Sequence, residues 1–290
     1  MSTKSRIIPI LVAALLWTAI PLRAAGDPDR VITISAPRVS NQLVAQWIEK
    51  YTAAHPGVQI RIVTGKEEKA DLTFVSATEA EEADRQGHVT YVGRFALLPV
   101  TTTDNSAYKQ LSHRKLNEKA LKRLFFQGDE TQEADQARKK ERWTEGITIY
   151  SGTNRASAAK AFARYFGYQT SQLRGKRIAG DDIYLLTAID KDHTGITFNS
   201  LTYLFDLQSR QLKSHLSLLP LDVKKEQSEV LEGGNLDATL QLLEQEHIDL
   251  VPLQKVGFAY EDKNAVSDFL NWVVNEGQQY NHAYGFLTLR

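Results

Sequence analysis

Residues 32–62, ITISAPRVSNQLVAQWIEKYTAAHPGVQIRI, carry the pattern on which the fold turns. Ile32 and Ile34 alternate with Thr33 as in a strand with one buried face. After a polar loop over residues 35–41, Leu43, Val44, Trp47, Ile48 and Tyr51 recur at the spacing of one helix face. His55-Pro56-Gly57 stops that helix, because proline lacks the donor a further turn needs and glycine tolerates the reversal. Val58, Ile60 and Ile62 then alternate as a second strand. A strand, a helix and a strand in this order predict parallel neighbours, since parallel strands need a long crossover.

Working outward, Leu72 and Phe74 mark a third strand, and residues 91–100 form an apolar run that predicts another, buried one. A second block opens near Thr101. Leu116, Ala120, Leu121, Leu124 and Phe125 suit a helix, whereas residues 127–142 are mostly charged and predict a solvated segment. Residues 147–150 read as a short strand ending at Ser151-Gly152-Thr153, after which Ala156, Ala159, Phe162, Ala163 and Phe166 suit a helix closed by Gly167. Residues 195–199 are a further strand. Near the end, residues 251–253 and 258–260 read as two strands. Val266, Phe269, Leu270, Val273 and Val274 form the face of a helix that should stop at Gly277, and residues 285–289 supply a last strand.

The chain has 290 residues, 42% hydrophobic and 24% charged, the balance of a globular protein with a substantial core. Lys+Arg and Asp+Glu are equal at 35 each, so no basic excess exists to gather on phosphates of a nucleic acid. Lys4 and Arg6 precede an apolar run at residues 7–22, and Ala24, Ala25 and Gly26 follow. That is the order of a secretory signal, predicting cleavage after Ala24 and an exported, periplasmic or secreted, protein. Cysteine is absent, which excludes disulfides, thiol chemistry, Cys-ligated zinc and a lipid anchor on cysteine. The histidines, at 55, 88, 113, 193, 215, 247 and 282, never fall at the spacing that places two metal ligands on one helix face. No metal, cofactor or catalytic residue is expected.

Two loops could hold an anion. Residues 151–157, Ser-Gly-Thr-Asn-Arg-Ala-Ser, lie between a strand and a helix, where free backbone N–H groups and the helix dipole favour negative charge. Arg155 and the hydroxyls would add charge-assisted hydrogen bonds; equally, Thr153 or Asn154 would serve as a helix cap. Residues 35–40, containing Arg38 and Val39, offer the same geometry, with Ser40 or Asn41 as cap. Asp181, Asp182, Asp190 and Asp192 sit at expected element ends, where charges are ordinarily solvated. Glu79, Glu81 and Glu82 read as acids complementing a helix start. Neither group, nor any Gly-x-Ser-x-Gly or phosphate-cradling Gly-rich loop, anchors a hydrolase.

Taken together, Ile32-Thr33-Ile34-Ser35, Val44-Ala45-Gln46-Trp47 before His55-Pro56-Gly57-Val58, Ser151-Gly152-Thr153, Phe269-Leu270-Asn271-Trp272, Glu276-Gly277-Gln278 and Tyr284-Gly285-Phe286-Leu287 resemble the phosphate-binding proteins of bacterial ABC transporters. The resemblance implies a type 2 periplasmic-binding fold: two α/β lobes, each a mixed sheet flanked by helices, joined by two crossing strands. Behind a signal at residues 1–24, lobe one would be residues 25–100 with 218–290, and lobe two residues 101–217. It further implies a monomer that captures a small anion, phosphate first, by hinge closure and without catalysis, and delivers it to an inner-membrane permease. Contacts would come from Arg38, Val39, Ser151, Gly152 and Thr153, with Arg155 in place of the arginine the family sets before Ser-Gly-Thr. Arg38-Val39 stands where the family has Thr then Phe, and residues 64–70 are too short for its Ser-bearing helix. Glu79 is the acid nearest the place of the family aspartate that accepts a proton from phosphate. These departures leave a second expectation, an envelope interaction module that keeps the fold without the ligand.

Overall fold

The computed structural model describes residues 31–64, 69–127, 144–153 and 156–289. The predicted signal, the charged run beyond residue 127, most of the short segment after Thr64, and Asn154-Arg155 lie outside the described residues in whole or in large part. Strand β1 (Val31–Ser35), helix α1 (Arg38–Ala54) and strand β2 (Gln59–Val63) form the expected unit, and β1 and β2 pair in parallel from Val31 opposite Gln59 to Ser35 opposite Val63. Helix α1 buries Leu43, Val44, Trp47 and Tyr51, the stripe its spacing predicted. It starts earlier than expected. Pro37 is its N-cap, so Arg38 and Val39 are its first helical residues rather than part of a loop, because a proline fixes the extended entry and fits a helix start. Ser40 is not the cap; its hydroxyl donates to Pro37 O at 3.1 Å.

Strand β3 (Leu72–Ser76) lies parallel to β1 and is followed by the short helix α2 (Glu81–Arg85). Strand β4 (Val89–Thr102) then organises the molecule. Its first half pairs antiparallel with β9 (Leu253–Ala259), and its second half, from Leu97 to Thr101, pairs antiparallel with β7 (Gly195–Ser200). Phe95 to Thr102 are all buried, as expected of a strand covered on both faces. The short β8 (Leu216–Leu218) also pairs with the end of β4. Between them run α3 (Tyr108–Ser112), α4 (Glu118–Phe125), β5 (Thr148–Gly152), α5 (Ser157–Tyr165), β6 (Lys176–Ile178), α6 (Ile183–Asp190) and α7 (Leu201–Leu204). Helices α8 (Lys225–Glu232), α9 (Leu236–Gln245) and α10 (Ser267–Asn275) and a 3-10 helix (Gly277–Tyr284) complete the chain. The sheet order is β2-β1-β3-β9-β4-β7-β5-β6.

Two aromatic clusters fill the space on either side of β4. Phe74 meets Phe258 edge-on at 5.3 Å and Trp47 lies 5.9 Å from Phe258, while the Trp47 indole N–H donates to Gly277 O at 2.8 Å. At the other end, Phe162 stacks on Phe198 at 3.9 Å and Phe125 meets Phe198 at 5.3 Å. Each such ring buries a large apolar area and adds about 0.5–1.5 kcal/mol through its geometry. Several details depart from the sequence pattern. The two short strands expected at 251–260 are one strand, β9, and residues 285–289 contribute an isolated bridge, Leu287 to Arg94, rather than a strand. Ser151 and Gly152 belong to β5 itself, since Tyr150, Ser151 and Gly152 pair with Lys176, Arg177 and Ile178 of β6. The fold class is otherwise the mixed α/β one expected. Among the described residues no helix is long and apolar enough to cross a membrane.

Candidate functional site

The carboxyl ends of the parallel strands and the helix starts that follow them converge on a partly open cavity of ≈ 30 Å³. Pro37 and Val39 reach it from the start of α1, Ser76 and Glu79 from the turn after β3, Ser157 and Ala158 from the start of α5, Asp182 from the turn before α6, and Ser200 from the end of β7. Phe74, Phe95, Val256 and Phe286 close its apolar side. Sheets of this kind place ligands there because the turns at strand ends are free to carry polar groups while the strands hold them rigidly.

Two carboxylates, Glu79 and Asp182, organise the polar lining. Glu79 Oε2 accepts from Ser76 N at 3.0 Å and Ser76 Oγ at 2.7 Å, and its Oε1 accepts from Ser157 Oγ at 2.8 Å with Lys160 Nζ at 3.9 Å. Glu79 therefore ties the β3 turn to the first turn of α5. An ion pair between Arg164 of α5 and Glu81 of α2 joins the same two elements. Asp182 Oδ2 accepts the Ala158 N–H at 3.1 Å, and Asn199 donates to the Asp182 backbone oxygen at 2.7 Å. Asp182 keeps partial exposure as a residue, yet its Oδ1 is buried and, among the described residues, has no hydrogen-bond partner. Burial pushes its carboxyl up to about 7, with Asp181 and Glu79 adding to the rise and the Ala158 N–H opposing it. Asp181 accepts from Ile183 N at 2.9 Å and from Tyr203 OH at 2.8 Å. Burial and then Asp181 push the Tyr203 phenol well above its ordinary range, with Arg38 acting against them. Asp181 and Asp182 were expected at a solvated element end; the structure corrects this, because β7 and α5 pack over the turn that carries Asp182.

The expected anion contacts are distributed unevenly. Val39 lines the cavity, whereas Arg38 is exposed on the first turn of α1. The Ser151 hydroxyl is committed to Arg174 O at 2.9 Å. At Gly152 a Cβ would stand 2.6 Å from Ala156 Cβ and 2.9 Å from Ala159 Cβ, so glycine is what lets α5 lie against β5. Thr153 donates its N–H to Ile178 O at 3.1 Å, and its buried Oγ1 has no partner among the described residues. Arg155 lies outside the described residues. Sequence reasoning missed Ser76, Ser157 and Ser200 as lining residues. Ser157 was within the quoted loop, and Ser200 directly follows a predicted strand, which is the local signal that could have found it. Among the described residues no cluster of three or more His, Asp or Glu is arranged to hold a metal.

No protein-family model and no curated protein sequence matches the chain. Solved structures do. A Clostridium perfringens protein assigned as a phosphate ABC transporter substrate-binding protein, with bound phosphate, superimposes at a TM-score of 0.62 and 13% identity, covering 90% of this chain and 100% of that one. An ABC-type phosphate transport receptor from Vibrio cholerae gives a TM-score of 0.55 and 14% identity over 89% of this chain and 100% of its own. At such identities the likeness speaks for the architecture. The chain has the mixed α/β fold of type 2 periplasmic binding proteins, the fold of these phosphate-transport proteins.

Proposed function

We propose that the chain is an exported solute-binding protein of the ABC-transporter kind, which captures a small oxyanion without catalysis and presents it to an inner-membrane permease. The observation that carries this is the convergence of the α1 and α5 starts, with Ser76, Ser157 and Ser200, on a partly open cavity at the carboxyl ends of the strands. Helix starts favour negative charge, and the Ser200 hydroxyl, without a partner among the described residues, is free to donate to it. Phosphate is the first ligand to test, because the solved proteins of this fold at 0.62 and 0.55 are phosphate-transport proteins. Residues 25–100 with 218–290 and residues 101–217 would be the two lobes, with β4 running between them and closure occurring about it. Arg38, Thr153 and Arg155 are the remaining candidates to approach the ligand.

The test is a thermal-shift titration of the purified exported protein, after dialysis from denaturant to remove carried-over ligand, against phosphate, sulfate and small carboxylates. A ligand at a hundred times its dissociation constant adds about 2.7 kcal/mol of stability. A saturable shift with one oxyanion is the expected result; no shift with any of them would sink the proposal. The second reading, an envelope interaction module without a ligand, is favoured by one observation: Glu79 and Asp182 already bridge the cavity walls. It predicts no shift together with co-purification of a membrane or envelope protein.

A further inference from the structure

We propose that the Asp182 carboxylate is a built-in occupant of the anion seat at the start of α5, which an incoming oxyanion must displace, so that Asp182 sets the affinity of the cleft. The inference rests on the solute-binding function above. Helix α5 has Ala156 as its N-cap, whose side chain makes no capping bond, and among the described residues no neighbouring side chain takes that role. The acceptor instead comes from Asp182, 24 residues along the chain, whose Oδ2 takes the Ala158 N–H at 3.1 Å. That N–H is one of the donors a bound anion at a helix start would use. The protein's own carboxylate therefore stands where a ligand oxygen would.

A second observation is independent of the helix start. Ser200 is 5% exposed, its Oγ has no hydrogen-bond partner among the described residues, and it lines the same cavity as Asp182, whose Oδ1 is likewise buried and unpartnered. Buried polar atoms are normally satisfied, and two unsatisfied ones around one space mark a place built for a polar guest. The space is ≈ 30 Å³, room for on the order of one water molecule. A tetrahedral oxyanion needs more, and withdrawing the Asp182 carboxylate both enlarges the cavity and releases the Ala158 donor.

The charges around Asp182 set the direction of its effect. Asp181 beside it and Glu79 on the β3 turn oppose its ionised form, as does burial, while the Ala158 N–H at the start of α5 favours it. From the other packed elements, Tyr203 of α7 donates to Asp181, Arg38 of α1 acts on Tyr203, and Lys160 of α5 stands 3.9 Å from Glu79. Acidification through neutrality thus discharges the occupant and admits the anion; alkaline conditions strengthen the competitor.

The experiment is calorimetric titration of the exported wild-type protein, Asp182→Asn and Asp182→Ala with inorganic phosphate and with sulfate, at pH 6 and pH 8. Sulfate stays fully ionised across this range, so any pH dependence of its binding belongs to the protein. Asn keeps an acceptor for Ala158 without the charge, and Ala empties the seat; circular dichroism identifies which variants are folded. At pH 8 the folded variants are expected to bind about tenfold or more tightly than wild type, the ratio shrinking towards one at pH 6. Equal or weaker binding by the variants, with wild type binding, overturns it and leaves the solute-binding function standing. No binding by any of the three at either pH overturns both.

Discussion

Asp182 shows how a single carboxyl changes meaning between sequence and structure. Burial raises its pKa to about 7 in the folded protein, against about 3.9 in an unfolded chain. Between these values the folded state holds a proton that the unfolded state has released, so stability falls as pH rises. The contribution is fully present below about pH 4 and is lost as pH passes through about 7. Relative to Asp182→Asn, wild type should lose on the order of a few kcal/mol between pH 4 and pH 8. Denaturant midpoints of both proteins across that range measure it, and a constant difference would show that Asp182 is solvated after all. None of this was legible locally: Asp181-Asp182 follows Gly180 like any surface turn, and only the packing of α5 and β7 withdraws Oδ1 from water.

At the scale of elements, the contact between β5 and α5 places the start of α5 at the cavity. The contact depends on Gly152, because a methyl there would overlap Ala156 and Ala159. Gly152→Ala is expected to destabilise by roughly 1–3 kcal/mol, the range for overpacking a tight interior. It should also shift the start of α5, weakening any anion binding by more than the loss of stability explains. Urea unfolding together with the thermal-shift titration tests this; a fully stable variant with unaltered binding would show that the contact has slack. The helices at this interface were legible from Ala156, Ala159 and Phe162, because helical periodicity is a local property. Gly152 was read as a ligand contact, whereas its missing side chain is needed for packing, which periodicity cannot reveal.

Across the whole molecule, a partly buried ionic cluster fastens the C-terminal segment to β4 and α9. Arg94 of β4 donates to Glu244 of α9 at 2.7 Å and to Thr288 O at 2.8 Å. Glu244 Oε1 also accepts the Thr288 N–H at 2.6 Å and Oγ1 at 2.9 Å, with His282 Nε2 at 3.0 Å. Burial pushes the Glu244 carboxyl up, but His282, Thr288 and Arg94 outweigh it and hold the carboxyl below its ordinary value. Glu244→Ala removes the acceptor that Arg94, His282 and Thr288 share and is expected to cost about 1–3 kcal/mol. Hydrogen exchange should report the loss at residues 285–289 first. Equal exchange in both proteins would mean the segment is held by Phe286 and Leu287 packing alone.

The alternation of strands and helices and the apolar faces of α1 and α10, and with them the fold class, were legible along the chain. These follow from spacings within a few residues, where backbone geometry decides which side chains share a face. The sequence also marked two strand-to-helix connections, at Arg38-Val39 and at Ser151-Gly152-Thr153, where the structure has the first turn of α1 and the end of β5. Which groups line the cavity follows from the packing of the folded chain. Ser76 and Glu79, Ser157, Asp182 and Ser200 come from four separate places along the chain, and their burial, proton affinity and hydrogen bonds arise when packing removes water from between them. Desolvation is a property of the assembled neighbourhood, so no spacing along the chain could announce that an ordinary turn aspartate would occupy the start of a distant helix.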